Sequence, residues 1–228
     1  MSTFSNQPTF SIRKALSYGF KTYFNNIWLV LGSFLIIVLT MIASNLVFRL
    51  IPPIGITFNA LFITQGIPFF FINIIFMLLI LLIPILEWIV AQWLAAGFIK
   101  MTLELHDTNQ SSFKTLFSCR SLLPYFMATS LIYTLMISIG FVCLIIPGIY
   151  LMTRYHFAIW SVVDGHAWII DAFKYSSQIT RGIRSKLFVY GLAFIAISII
   201  PIFIPVGIFG LAYIFRWAQQ HHNEATIY

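Results

Sequence analysis

Hydrophobic residues run in long blocks along this chain, and polar positions fall between the blocks rather than alternating within them. A helix crossing a hydrocarbon core of about 30 Å needs about 20 consecutive apolar residues. The blocks Ile27–Leu50 and Leu122–Ile146 meet that length. Pro68–Phe98 exceeds it, which predicts a tilted helix or a bend at Pro84. Ile149–Val163, Leu187–Ile200 and Val206–Trp217 are shorter. Pro147–Gly148 divides the first of these from its predecessor, and Pro201 and Pro205 divide the other two. The pattern predicts an all-α polytopic membrane protein, with about six transmembrane helices arranged as three hairpins.

Shorter stretches carry a different pattern. In 10–24 the apolar residues Phe10, Ala15, Leu16 and Phe20 are interleaved with Arg13, Lys14 and Lys21. In 167–183, Trp168, Ile169, Ala172, Phe173 and Ile179 are set against Lys174 and Arg181. These read as amphipathic helices in the cytoplasmic-side interface, apolar face in the acyl boundary and basic groups at lipid phosphates. A shorter counterpart lies at Phe113–Phe117, so each hairpin is preceded by one such element. Each outer turn is expected at an Ile-Pro pair with a glycine soon after: 51–56, 146–149 and 204–208. The chain therefore reads as one integral membrane domain, 1–228, with pseudo-repeats 10–106, 110–164 and 167–220. The competing reading is chance similarity among apolar segments.

Composition supports lipid as the solvent. Charged residues are 8%, hydrophobic residues 60%, and mean hydropathy is +0.94. The net charge of +7 does not suggest nucleic acid, because the basic residues are dispersed among apolar spans. With both termini cytoplasmic, Arg13, Lys14, Lys21, Lys100, Lys114, Arg120, Lys174, Arg181, Arg184, Lys186 and Arg216 all fall inside. Only Arg49 borders an outer loop, and the outer segment 51–67 carries no charge. Residues 1–26 lack the compact apolar core of a cleaved signal peptide. Cys119 and Cys143, held roughly 36 Å apart if one helix joins them, are expected to remain thiols.

A resemblance rests on one region. Ile145-Ile146-Pro147-Gly148-Ile149-Tyr150, then Arg154-Tyr155 and Val162-Val163-Asp164, lead into Asp171-Ala172-Phe173-Lys174-Tyr175-Ser176 and Thr180-Arg181-Gly182. This resembles a bacterial polytopic membrane-protein superfamily of unknown function. The superfamily includes the membrane region attached to some glycerophosphodiester phosphodiesterases. The similarity is clearest over roughly 110–190, and the phosphodiesterase barrel has no counterpart here. The resemblance implies a fold and a bacterial inner-membrane setting, and the phosphodiesterase activity is not carried over.

Two charges fall inside predicted spans, where ionisable groups are expensive. Glu87 lies about 20 Å above Lys100, and Arg154 about 15 Å above Asp164, at 1.5 Å per residue. Their similar depth allows an ion pair, with Arg49 as the rival partner of Glu87. One reading is a polar point on a substrate or proton path; the other is a structural pair between two helices. Lys174, Arg181, Arg184 and Lys186 are candidate lipid-phosphate contacts.

Ser130, Thr134 and Ser138, Thr40 and Ser44, Ala91 and Ala95, and Gly207 and Gly210 have the spacing of helix-packing faces. His106, His156 and His166 are scattered, and His221-His222 falls in a tail expected to fray. No metal ligand set, cofactor motif or catalytic motif is recognised. The tryptophans mostly sit near span ends, as interfacial anchors do.

The expected function is a non-enzymatic, lipid-associated organising or transport-related membrane domain. Its expected partners are membrane lipids, and other membrane proteins or a second copy of the chain. The alternatives are a small transporter or channel using Glu87 and Arg154, and a structural subunit of a membrane complex.

Overall fold

The computed structural model describes residues 10–63, 69–165 and 168–227. Every regular element among them is helical. Among the described residues, four helical stretches are long and apolar enough to cross a membrane: Ile27–Val47, Ile80–Thr108, Phe113–Cys143 and Pro201–Asn223.

Helix α1 (Ile12–Asn25) has apolar or small residues at 12, 15, 16, 19, 20 and 23, a stripe of helical period. It ends at Asn26, whose side-chain amide donates to the Thr22 carbonyl at 3.1 Å. Helix α2 (Ile27–Ile63) follows at once, and α3 (Phe69–Thr108) runs through Pro84 without ending. A short helix, α4 (Phe113–Leu116), and a 3-10 turn at Ser118–Leu122 lead to α5 (Leu123–Cys143). The Glu104 carboxylate fixes this connector, accepting from Ser111 Oγ at 2.9 Å and Thr115 Oγ1 at 2.7 Å.

Then come α6 (Ile145–Tyr155), α7 (Ala158–Val163), α8 (Ile169–Ile179), α9 (Arg184–Ser198) and α10 (Ile204–Ile227). The block 149–163 is thus broken at His156–Phe157. Helix α9, at 15 residues, reaches only about 22 Å.

The prolines act differently from the sequence expectation. Pro52 and Pro53 lie within α2, so 51–56 is helix and not a turn. The outer segment's remaining residues, 64–67, lie outside the described residues, as does His166. Pro147 and Pro205 sit in the first turns of α6 and α10. There a missing N–H costs nothing, because those donors have no intrahelical partner. The chain reverses between α5 and α6 at Leu144 alone, an extended residue with φ −171° and ψ 153°. Gly140 and Gly148 make this possible: a Cβ on Gly140 would meet the Gly148 Cα at 2.9 Å.

Two groups of buried apolar residues hold the body together. One joins Phe10, Leu103, Phe126, Phe157, Trp160, Tyr190 and Phe215. The other joins Tyr23, Val30, Leu94, Phe98, Met101, Leu116, Val206 and Phe209. Helix α10 contributes to both, and α1, α3, α8 and α9 pack around it. The α1–α10 crossing is close because Gly19 faces the Val206 carbonyl and Gly210 faces the Ala15 carbonyl. Trp160, expected as an interfacial anchor, is therefore in the core at 5% exposure. His221 stacks on Trp217 at 4.0 Å within α10, so the paired histidines do not form a frayed tail.

Away from this body the apolar side chains face outward. Leu35, Leu39, Ile42 and Leu46 of α2, Met77 and Leu81 of α3, and Val142, Ile145 and Ile146 at the α5–α6 reversal are all more than half exposed. Apolar patches on this scale are the hallmark of a surface covered by something other than water. Cys119 is buried and Cys143 exposed, and both are free thiols.

Candidate functional site

Where the exposed faces of α2 and α3 rise from the packed body, they border a half-open cavity of about 780 Å³. Phe34, Ile37 and Met41 of α2 face Ile83, Leu86 and Val90 of α3. Ile204, Ile208 and Leu211 close one side from α10, with Trp160 of α7 beside them. Five polar side chains line it: Glu87, Gln92, Thr40, Ser44 and His156. The Thr40 and Ser44 hydroxyls donate to their own helix, to Ile36 and Met41 carbonyls at 2.8 and 3.0 Å. Thr40 and Ser44, and Ala91 and Ala95, whose spacing suggested helix packing, line this cavity between α2 and α3.

His156 differs from the other polar residues. Its Nε2 is buried and has no hydrogen-bond partner. A buried polar atom without a partner costs about 1–3 kcal/mol, a cost that a ligand's polar group would relieve.

The expected pair between Glu87 and Arg154 is not formed. The Arg154 Nε donates to Ser177 Oγ at 2.9 Å, and its Nη1 reaches the Tyr150 hydroxyl at 3.4 Å. Among the described residues neither Glu87 nor Arg154 takes part in an ion pair, and nor does Arg49, which is exposed on α2. The cause is the break at His156–Phe157. It ends α6 one residue after Arg154, whose carbonyl is held against α8 by Ser176 Oγ at 3.1 Å and Thr180 Oγ1 at 3.0 Å. The azimuth of a side chain around its helix, which decides whether two charges meet, was not available from the sequence.

The candidate phosphate contacts separate as well. Lys174 on α8 and Arg181 in the following turn are exposed, Arg184 opens α9, and Lys186 is half-buried in its first turn. Arg184 shares the Tyr150 hydroxyl with Arg154.

The ion pairs lie elsewhere, at the other end of α10. Arg216 donates from Nη1 to Asp164 Oδ1 at 2.6 Å and from Nε to Asp107 Oδ1 at 3.0 Å. Gln219 Nε2 completes the cluster on Asp164 Oδ2 at 2.6 Å. Burial raises the nearby Tyr175 phenol above its ordinary range, against a smaller lowering from its hydrogen bond to Gln219. The cluster ties α3, the α7–α8 link and α10 together, and no local spacing announced it. Among the described residues no group of three His, Cys, Asp or Glu side chains is placed to hold a metal ion.

Comparison with family models, with curated proteins and with solved structures finds no match to this chain.

Proposed function

We propose that this chain is a multi-pass bacterial inner-membrane protein that holds, and in doing so organises or moves, a lipid-like molecule without covalent chemistry. The observation that carries the reading is the cavity between α2, α3 and α10. Its volume falls within the roughly 300–1,000 Å³ typical of small-molecule sites. Its walls are mostly apolar, and Glu87 and the unpartnered His156 Nε2 offer two polar points. An apolar chain bearing an amine or hydroxyl group suits that lining: the chain takes the walls, and the polar group takes the carboxylate.

The same reading has six membrane segments as three hairpins, each preceded by an amphipathic inner-face helix, with both termini cytoplasmic. The distribution of basic residues supports it. So does the packing of α2 on α3 and of α5 on α6. The resemblance over 110–190 supports the bacterial setting. A transporter using Glu87 and Arg154 on one path is disfavoured, because the Arg154 side chain is engaged with Ser177 and Tyr150.

Native mass spectrometry of the protein in mild detergent tests the cavity. Wild-type protein is expected to retain a lipid-like adduct, and Ala91→Trp, which fills the cavity, to lose it. An identical adduct pattern in the two proteins refutes the reading. Topology is tested by impermeant thiol labelling of intact cells carrying Gly55→Cys or Ser185→Cys in a Cys119→Ser, Cys143→Ser background. Labelling of position 185 but not 55 overturns the orientation.

A further inference from the structure

The geometry points to a second site, distinct from the cavity, at which Arg154 and Arg184 bind a phosphate-type oxyanion. Both guanidinium groups converge on one phenol. Arg184 Nη1 lies 2.9 Å and Arg154 Nη1 3.4 Å from the Tyr150 hydroxyl. Each also sits over that ring, with Cζ at 5.1 and 5.8 Å from the centroid. Ser177 holds both from the other side: its Oγ accepts from Arg154 Nε at 2.9 Å, and its carbonyl accepts from Arg184 Nη2 at 3.3 Å.

The cluster is built but not neutralised. Among the described residues no carboxylate lies within ion-pair distance of either guanidinium. Like charges brought to a shared acceptor repel, and the arrangement becomes favourable when an anion joins them. Contrast Arg216, which meets two carboxylates. Three donor features remain available. Arg184 Nε is buried without a partner. The Tyr150 oxygen accepts from both arginines, which leaves its own proton free to donate. Arg184 also opens the 15-residue α9, whose first backbone N–H groups have no intrahelical partner.

Planar guanidinium forks match the oxygens of a phosphate mono- or diester. The exposed Ile170 lies in α8, the helix that supplies Ser177, and the exposed Trp168 just precedes it, which suits an ester whose acyl chains lie in the bilayer. That lipid source rests on the membrane reading above, whereas the oxyanion chemistry does not.

The test uses the full chain in neutral detergent, with melting followed as ligand is added. The probes are phosphatidylglycerol, phosphatidylcholine, and inorganic phosphate against chloride at equal ionic strength. Wild-type protein is expected to be stabilised by phosphatidylglycerol. Arg184→Gln and Arg154→Gln should each respond with about tenfold weaker apparent affinity, the loss of one charge-assisted partner. Arg120→Gln removes the same charge from an exposed position elsewhere and should respond as wild type. Displacement of phosphatidylglycerol by millimolar inorganic phosphate would assign the site to a soluble phosphate; failure to displace it would assign it to a lipid headgroup. Should the arginine variants not fold, Tyr150→Phe keeps the ring and removes the hydroxyl, and it too should weaken the response. An equal response to phosphatidylglycerol, phosphatidylcholine and chloride overturns the proposal, as does an undiminished response in the folded variants. Loss of the cavity adduct in Ala91→Trp leaves this outcome unaffected, so the two readings fail separately.

Discussion

The crossing of α1 over α10 makes a sharp quantitative demand at Gly19. A Cβ there would overlap the Val206 carbonyl oxygen, with the Val206 Cγ1 at 3.3 Å as well. The first obstacle is backbone, so no rotamer change relieves it, and the helices must move apart. Overpacking of this kind costs about 1–3 kcal/mol. Against it stands the gain of about 1 kcal/mol when a helical glycine becomes alanine. The net expectation for Gly19→Ala is a loss of up to about 2 kcal/mol, or a midpoint lowered by up to roughly 8 °C for a chain of this size. Gly191 in α9 is the matched control, because a Cβ there meets nothing within 4 Å. Gly191→Ala keeps only the propensity gain and should be stabilised by about 0.5–1 kcal/mol. Thermal unfolding in one mild detergent, followed by tryptophan fluorescence, compares the two directly. If both substitutions stabilise by similar amounts, the close α1–α10 crossing is wrong, and with it the central place of α10.

Three further outcomes follow from the same packing. Asp164 is 16% exposed and Asp107 is 42% exposed around the shared Arg216. Asp164→Ala should therefore cost about 2–3 kcal/mol, and Asp107→Ala less than about 1 kcal/mol, the latter shrinking further at high salt. Tyr190 is fully buried and its hydroxyl donates to the Gly207 carbonyl at 2.8 Å, so Tyr190→Phe should lower stability by about 1 kcal/mol in denaturant titration. Gly97→Ala should fold worse than Gly19→Ala in size-exclusion yield, because its Cβ would overlap three backbone atoms of Leu116.

Several features could be read without coordinates. The amphipathic periods of 10–24 and 167–183 predicted helices, and α1 and α8 lie there. The Pro147–Gly148 pair marked a reversal, placed three residues too late because proline suits the first turn of the new helix rather than the bend itself. The i, i+4 spacing of Tyr150 and Arg154 was a legible sign that the two share a face, and it was overlooked. His156 could not be recognised as a cavity residue, since one histidine between apolar residues carries no pattern.

The sequence by itself determined that the chain is helical and that its apolar surface exceeds what a compact body in water could hide. Both follow from local quantities, block length and composition, which need no knowledge of neighbours. Only the tertiary structure decided that α10 is the buried centre while much of α2 and α3 faces outward, although stretches of all three are long and apolar enough to cross a membrane. It alone separated Glu87 from Arg154 and brought Asp107, Asp164 and Arg216 together. The physical reason is that hydropathy fixes whether a face is hidden from water, but not what hides it. Lipid and a neighbouring helix are equally apolar, and the choice between them is made by close approach at residues such as Gly19 and Gly210.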